Sequence, residues 1–449
     1  MAEYLPDPLI LDILSRLTDS SDIARCQVAS KTLNSIAQNV QHINLVCTLS
    51  RYLKSRSPEG RHRVTPFKTI FSKLVQKSRR LESISIGVDK ALAGIAFDDF
   101  EDESDDLFLT DIEFVKDWLP RVCEDLRFLS ISDFWVQSCW RKTEVLALIS
   151  SCCHKLLELE VRNAWLSVDG VNPMLRLTSL TLEFIRLEDE DLNKVNECFP
   201  CLQDLNLVGV GGLKDPKIHM LHLKTCLWTV SNAPLSLSIV APNLIELKLK
   251  CIKPKLLVLE TPLLSDFYLS LEKASNVRVK EFQNLQNLQL ESSSFCYIID
   301  AFPLGNTIKK LKVDLLKSTE PETIRKFDLG ALFNVFPNVK SLTLGPRAWS
   351  QVETCFCKEG LENQTGMKEL TEIMAHLVID DIDVTLSIIF CILDKCTNLS
   401  SVALLIYREV DSSIANKLIS RCTVDHPKIR WRWGMWKEGT EDTWLSDDI

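Results

Sequence analysis

The chain repeats one short spacing of apolar residues along most of its length. In this spacing, L-x-x-L-x-L with other large apolar residues at some of the leucine positions, the last two apolar residues enclose a single residue. Neighbouring copies begin 20 to 45 residues apart. The copies begin at Leu81, Leu126, Leu156, Leu177, Leu202, Leu244, Leu264, Leu285, Ile308, Val339, Met374 and Leu399, and Ile218 is a candidate start in the long central gap.

This spacing constrains the fold because each unit needs its neighbours. The L-x-L part has the two-residue period of a strand that points alternate side chains to one face. One such strand cannot bury its leucines alone, so successive units stack into a parallel sheet over a continuous core. The 449 residues are also too many for one simple core. We therefore expect an α/β solenoid, a curved parallel sheet with variable helical returns.

The segments between the strands predict two kinds of return. Apolar residues recur with helical spacing in segments 143–153, 189–199 and 383–396, so these segments are predicted to be helices. The two intervals that follow Leu244 are only about 20 residues long and leave room for a turn or an extended return. Repeats with helices should therefore alternate with repeats that are nearly all β.

A different pattern occupies residues 5–40. Asp7 suits the capping position of a first helix and Pro8 its first helical position, and a wide apolar face follows. Asp19 and Ser30 mark the starts of two further short helices. A segment of this size cannot bury so much apolar surface alone. The surplus must contact the rest of the chain or a partner.

This N-terminal pattern resembles the F-box motif. The resemblance rests on residues at the family's spacing, namely Leu5, Pro6, the apolar run 9–17, Cys26, Ala29, Ser30 and Lys31. The motif's aromatic position holds Leu33 in this sequence. The repeats in turn resemble the leucine-rich repeats that follow the F-box in plant F-box/leucine-rich-repeat proteins.

The repeats depart from the leucine-rich consensus at one position. That consensus places Asn or Cys three residues after the last leucine of each strand. The corresponding residues here include Asp89, Phe134, Ala164, Ile185, Val210 and Ile252. Without the asparagine ladder, the turns that follow the strands must be stabilised by other contacts.

The resemblance implies a non-catalytic adaptor without a cofactor. In that family the F-box docks on the Skp-type adaptor of a cullin-RING (SCF) ubiquitin ligase, and the repeats hold a substrate protein near the ubiquitin-charged enzyme. Carried over to this sequence, the docking residues are Leu5, Pro6, Leu9, Ile13, Leu14, Leu17, Cys26 and Leu33. The substrate protein is expected on the strand face or on the loops beside it.

Two other functions fit the same architecture. One is a small-molecule or hormone sensor with a pocket on the solenoid, although no basic pattern for an inositol phosphate is visible. The other is an interaction scaffold that does not assemble into a ligase. No motif of an enzyme supports a third possibility, since the sequence contains no G-x-S-x-G, Walker A loop, G-x-G-x-x-G or HExxH.

The remaining composition divides the chain into an F-box (1–45), a basic segment (46–80), the repeats (81–428) and a Trp-rich cap and tail (429–449). Residues 51–80 contain ten Lys or Arg and one acidic residue, Glu59, which indicates a solvated linker and helix or, alternatively, an anion site. The acidic run 98–106 is expected to be an exposed loop. Trp431 and Trp433 fit one face of a final strand that caps the core, or a partner site.

Charge and cysteine usage exclude several classes. A net charge of −9 argues against a nucleic-acid partner, and no apolar run is long enough to cross a membrane or to form a secretion signal. Cys198 and Cys201 form a CxxC pair with no second pair to complete a metal site, so we interpret both as packing residues. We therefore interpret the sixteen scattered cysteines as reduced thiols, which predicts that the protein resides in the cytoplasm or the nucleus.

Overall fold

In the computed structural model, two compact units cover residues 1–232 and 233–449. The structure describes residues 5–57, 63–94, 105–138, 140–230, 233–272, 276–280, 282–293, 298–299, 305–317, 329–359 and 367–445. Most of the predicted acidic loop, residues 98–104, lies outside these ranges.

The first unit begins with three helices and continues as strands with helical or extended returns. Its helices are α1 Asp7–Ser15, α2 Ser20–Ala29, α3 Lys31–Ala37, α4 Leu49–Arg56, α5 Phe67–Lys77, α6 Ile112–Trp118, α7 Trp135–Ser138, α8 Val145–Cys152 and α9 Asp189–Cys198, with 3-10 turns at Lys90–Gly94, Asp105–Leu107 and Leu119–Arg121. Its strands are β1 His42–Cys47, β2 Ser83–Val88, β3 Phe128–Ser132, β4 Lys142–Thr143, β5 Glu158–Arg162, β6 Trp165–Leu166, β7 Ser179–Glu183, β8 Asp204–Val210, β9 Lys217–His219 and β10 Thr225–Val230.

The second unit contains more strands and its helices are concentrated in its later part. Its strands are β11 Ser236–Val240, β12 Glu246–Cys251, β13 Leu256–Glu260, β14 Asp266–Leu271, β15 Asn276–Val279, β16 Asn287–Ser292, β17 Lys310–Asp314, β18 Ser341–Leu344, β19 Glu372–Leu377, β20 Ser401–Tyr407, β21 Arg430–Trp436 and β22 Thr443–Trp444. Its helices are α10 Leu329–Val335, α11 Pro346–Glu359, α12 Ile382–Lys395 and α13 Ser412–Asp425.

Parallel pairing in the first unit follows the order β1-β2-β3-β5-β7-β8-β10. The register places the repeated leucines side by side: Leu159 lies beside Leu180, which lies beside Leu205. Each of these side chains is at most 1% exposed. The repeat spacing therefore predicts both the strands and the face that they bury, and the predicted helices at 143–153 and 189–199 are found as α8 and α9.

In the second unit, parallel strands follow the order β12-β14-β16-β17-β18-β19-β20-β21. The short returns between β12, β14 and β16 are extended, as predicted, because β11, β13 and β15 form a second parallel sheet. The predicted helix at 383–396 is found as α12, which buries Leu386, Ile388, Ile389 and Ile392. The predicted α/β repeat architecture is confirmed in each unit.

The sheet begins before the predicted start at residue 81. Val40, Ile43 and Leu45 have the repeat spacing and are each at most 4% exposed. Their strand β1 pairs in parallel with β2, so residue 45, the predicted end of the first segment, lies inside a strand of the sheet. Helices α4 and α5 of the basic segment then form the return between these two strands.

Two predicted repeats have the wrong phase. The candidate start at Ile218 is wrong because the strand β10 places Cys226 and Trp228 beside Leu205 and Leu207 of β8. Cys is a small apolar residue and Trp a large one, and the leucine template recognised neither. The start at Met374 is also wrong, because the buried residues of β19 are Ile373, Ala375 and Leu377.

Two aspartate side chains cap the starts of return helices. The Asp106 carboxylate accepts hydrogen bonds from the first two backbone N–H groups of α5, at 2.7 and 3.1 Å. Asp314 accepts from the backbone N–H groups of Arg347 and Ala348 at the start of α11, both at 3.1 Å. Since the first N–H groups of a helix have no partner within it, these carboxylates cap helices from neighbouring repeats. The Asp314 bonds thereby stabilise the turn after β18, which lacks the consensus asparagine.

The C-terminal strand is covered at its outer side. β21 pairs with β20 in parallel and with the short strand β22 in antiparallel orientation. Trp431 and Trp433 stack with ring centroids 5.6 Å apart on the predicted common face. Trp436 is nearly buried and donates its Nε1–H to the Leu377 carbonyl oxygen at 3.1 Å. These contacts favour the interpretation as a cap, because they use the tryptophans within the second unit.

None of the helices in the described part of the chain has the length and apolar character needed to cross a lipid bilayer.

Asp133 provides a pH-dependent contribution to stability. Its side chain is fully buried and accepts hydrogen bonds from the backbone N–H groups of Leu109 and Thr110 and from the Thr110 hydroxyl. Burial raises the pKa of Asp133 to about 7, although these hydrogen bonds oppose the shift. The folded state therefore binds more protons than the unfolded state between about pH 4 and pH 7. Stability from this group is fully present below that window and is lost as the pH rises through it.

We expect wild-type protein to lose melting temperature relative to the Asp133→Asn variant as the pH is raised from about 4 to 7, because the amide does not ionise. Thermal unfolding of both proteins at several pH values measures this difference. Asp117→Asn, at an exposed position of α6, is the matched control and should track the wild type. Parallel pH profiles for wild type and Asp133→Asn would contradict the assignment.

Candidate partner-binding surface

The first helix exposes large aliphatic side chains. α1 begins one residue earlier than predicted, with Pro6 as its capping residue and no side-chain cap from Asp7. Leu9 and Ile13 lie one turn apart and are 52% and 51% exposed, and Leu5, just before the helix, is 42% exposed. Pro6 is exposed as well. These four predicted docking residues are therefore available to a partner.

The opposite side of α1 builds the core of the three N-terminal helices. Its buried members are Ile10, Leu14, Ile23, Ile36, Ala37 and Val40. Leu17, Cys26 and Leu33 are partly buried and pack against this core. The predicted position of Leu14 on the docking surface is not found, because its side chain is only 2% exposed. Leu14 holds α1 in place, and Leu9 and Ile13 face away from it.

A further exposed apolar residue was missed by the sequence analysis. Val28 in α2 is 87% exposed. It lies five residues after the buried Ile23, so a helix of 3.6 residues per turn places the two side chains well apart around its axis. Helical spacing measured from Ile23 would have identified it, whereas the motif's own residues drew attention to Cys26.

The N-terminal helices are fastened directly to the first strand of the sheet. The Ser20 hydroxyl accepts a hydrogen bond from the backbone N–H of Asn44 in β1, at 2.8 Å, and Ser20 is 1% exposed. The Asn44 side chain donates to the Thr18 carbonyl oxygen at 2.7 Å. The Gln38 carbonyl accepts from the Arg79 backbone N–H at 2.9 Å. The Ser20 bond also satisfies a backbone group on the outer edge of β1 that would otherwise be unpaired.

Charged side chains on α1, beside the exposed Leu9 and Ile13, pair with each other. Asp12 and Arg16 of α1 lie 2.9 Å apart, and their side chains are more than half exposed. Exposed pairs of this kind contribute little to stability or affinity. Apolar contact is therefore the main chemistry that α1 offers to a partner.

The basic segment is occupied by contacts within the chain. Lys68 of α5 lies 3.3 Å from the Asp111 carboxylate and 5.1 Å from the centre of the Phe114 ring. Arg51 donates to the Thr65 carbonyl oxygen. The apolar face of α5 buries Phe67, Phe71, Leu74 and Val75. This arrangement favours the interpretation as a return helix and gives no support to an anion site.

The predicted packing role of the CxxC cysteines agrees with their surroundings. The Cys198 thiol donates to the Val171 carbonyl oxygen at 3.5 Å, and burial raises the pKa of that thiol. Among the residues that the structure describes, no group of three or more His, Cys, Asp or Glu side chains is arranged to hold a metal ion.

Leu9 and Leu14 should respond differently to truncation although both belong to α1. Leu14→Ala removes buried methyl groups and should destabilise the helices by about 2–5 kcal/mol. Leu9→Ala should change stability by less than about 0.5 kcal/mol, because its side chain is already half exposed. Hydrogen exchange of peptides from residues 5–40 measures this contrast. Equal loss of protection in both variants would contradict the assignment of inner and outer faces.

Comparison with known proteins places these features in a family. A family model described as F-box-like matches residues 2–43, the segment that contains α1, α2 and α3. An F-box/LRR-repeat protein of Arabidopsis thaliana is 55% identical over 448 residues, which cover 99% of this chain and 100% of the relative. The similarity therefore extends through both the N-terminal helices and the repeats.

Proposed function

Because the chain belongs to the plant F-box/leucine-rich-repeat protein family, we propose that it is the substrate-recognition subunit of an SCF-type ubiquitin ligase. F-box domains generally bind Skp-type adaptors, and F-box/LRR proteins are generally non-catalytic adaptors. In this proposal the N-terminal helices bind the Skp-type adaptor and, through it, the cullin. The repeats bind the substrate protein, and the chain acts in the cytoplasm or the nucleus.

The exposed stripe on α1 is the observation that carries this proposal. Leu5, Leu9 and Ile13 are large aliphatic residues that stay in water in the isolated chain. Each is about half exposed, so burying the rest of one such side chain at an interface contributes on the order of 1 kcal/mol. Pro6 is the capping residue just before the helix that presents Leu9 and Ile13. We assign these four residues to direct contact with the adaptor.

The other docking residues support that stripe. Leu17, Cys26 and Leu33 are partly buried against the helical core, so they keep some surface for a partner. Leu33 occupies the position that is aromatic in the motif, and its smaller side chain offers less contact area. Leu14 acts only indirectly, by fixing the orientation of α1.

The proposed mechanism is proximity and requires no catalytic group. A substrate held on the repeats shares one assembly with the ubiquitin-charged enzyme, which raises the effective concentration of its lysines. The substrate is held at a defined position relative to the adaptor only if the N-terminal helices are fixed to the sheet. Ser20 and Asn44 supply such a join, because they connect α2 to β1 through short hydrogen bonds.

Adaptor binding should be lost in the double variant Leu9→Asp/Ile13→Lys. These charges remove the apolar stripe while placing an acid near the start of α1 and a base near its end, where the helix dipole tolerates them. Co-purification with a Skp-type adaptor should be abolished, whereas the melting temperature should stay within about 2 °C of the wild type.

Leu175→Asp/Val424→Lys is the matched control, since it charges two exposed aliphatic residues outside the N-terminal helices. This control should bind the adaptor like the wild type. Undiminished adaptor binding by the α1 variant would refute the proposed function. Affinity purification with and without proteasome inhibition then identifies substrates as proteins that co-purify with the wild type only when the inhibitor is present, but with the α1 variant in both conditions.

A further inference from the structure

A groove lies on the outward face of the second unit's main sheet. Its volume is about 380 Å³, and strands β12, β14, β16, β17 and β18 form its floor. The large apolar residues of these strands, such as Leu288 and Leu311, point into the core on the other face. Polar side chains at alternate positions therefore line the groove.

The strand register arranges the central groove residues in two rows. In the first row Lys310 stands between Asn287 of β16 and Ser341 of β18. The second row lies two residues further along each strand. There Lys312 stands between Gln289 and Thr343.

The two rows have the same chemistry. Each has a lysine between an amide and a hydroxyl, and neighbouring strands are only about 4.8 Å apart. A ligand atom above either lysine therefore meets a positive charge and a hydroxyl donor together.

Most other charges in or beside the groove already have partners. Lys248 lies 2.7 Å from the Glu246 carboxylate. Glu291, at the adjacent row, accepts hydrogen bonds from the Tyr268 hydroxyl at 2.8 Å and from the Gln289 amide at 3.0 Å. Glu291 and the groove residue Asp266 accept hydrogen bonds only from neutral groups, so both keep their negative charge. Glu291 lies one strand away from the lysines of β17, and Asp266 lies two strands away.

Lys310 and Lys312 differ from these residues. Both are exposed, and neither forms an ion pair with any carboxylate in the described part of the chain. The centre of the groove therefore carries two positive charges that the second unit's described residues leave unpaired.

We propose that this groove binds an extended acidic segment of the substrate protein. Lys310 and Lys312 are two residues apart on one strand, a separation of about 7 Å. Alternate side chains of an extended peptide have the same separation, so carboxylates or phosphates at positions i and i+2 match both lysines. Ser341 and Thr343 supply the hydroxyl donors beside them. This inference rests on the proposed function, because it names the substrate class for the repeats.

Binding of a defined probe by the full chain tests the groove. The probe is a fluorescein-labelled nine-residue peptide in which Glu and Ser alternate, and a second peptide carries phosphoserine in place of Glu. Fluorescence anisotropy should show saturable binding of at least one of them to the wild type. The variant Lys310→Glu/Lys312→Glu should bind that peptide at least tenfold more weakly, and the wild-type affinity should fall as salt is raised.

Lys340→Glu/Lys368→Glu is the matched control, because both lysines are exposed outside the groove and the change in net charge is the same. It should bind the peptide within about twofold of the wild type. Equal weakening in both variants, or no binding to the wild type, would overturn the inference. Tighter binding of inorganic tripolyphosphate or of single-stranded RNA than of the peptides would overturn it as well.

The adaptor pulldown separates this inference from the proposed function. Lys310→Glu/Lys312→Glu should retain the adaptor fully, since the groove and α1 are different surfaces. If the wild type binds the adaptor but not the peptides, only the proposed peptide site is refuted. If the wild type binds the peptide but not the adaptor, only the proposed role in a ubiquitin ligase is refuted.

Discussion

The hydrogen bond between Ser20 and the backbone of Asn44 has consequences for the whole first unit. A parallel sheet has a first strand whose outer edge offers backbone groups to any other chain. Here that edge belongs to β1, and the start of α2 covers it. The same contact that protects the edge orients α1, because all three N-terminal helices share one small core. Edge protection and presentation of the docking stripe are therefore one structural solution.

In the repeats, carboxylate side chains form hydrogen bonds to the backbone, as the asparagine side chains do in the consensus repeat. Asp106, Asp133 and Asp314 each accept more than one backbone N–H from a segment distant in sequence. An ionised carboxylate accepts hydrogen bonds only, so it suits helix starts, where donors are unsatisfied. The cost is burial of a charge, which is largest at Asp133 and explains its raised pKa. In place of a regular asparagine ladder, the chain therefore has individual aspartates that each stabilise one local segment.

Much of the fold follows from the sequence because the leucine spacing is a local pattern. It identified most strands of the main sheets whose inward residues are large and apolar, as at Leu180 and Leu182, but not β1, where Ile43 and Leu45 have the same spacing. It failed at Cys226 with Trp228 and at Ala375, where the same inward positions hold residues of other sizes. The core accommodates those residues through neighbouring side chains, which a template applied to one repeat does not consider.

The docking surface was only partly predictable for a different reason. α1 is apolar on nearly all sides, so Leu9 and Leu14 look equivalent in sequence, and only the packing of α2 and α3 distinguishes them. The rows of the groove follow from the repeats, because Asn287, Lys310 and Ser341 each lie two residues after a predicted repeat start and the strand register aligns them. Which of the charged side chains there form ion pairs is visible only in the structure.

Because α2 is bonded directly to β1, the distance from the N-terminal helices to each strand of the first unit is fixed. Since no free linker separates the helices from the sheet, a position on the sheet has a set distance from α1. Each parallel strand adds about 4.8 Å, so the six steps from β1 to β10 correspond to roughly 29 Å. Gain or loss of one repeat would shift everything beyond it by one such step. Within the first unit, the number of strands therefore sets this distance in discrete steps, independently of the residues that do the binding.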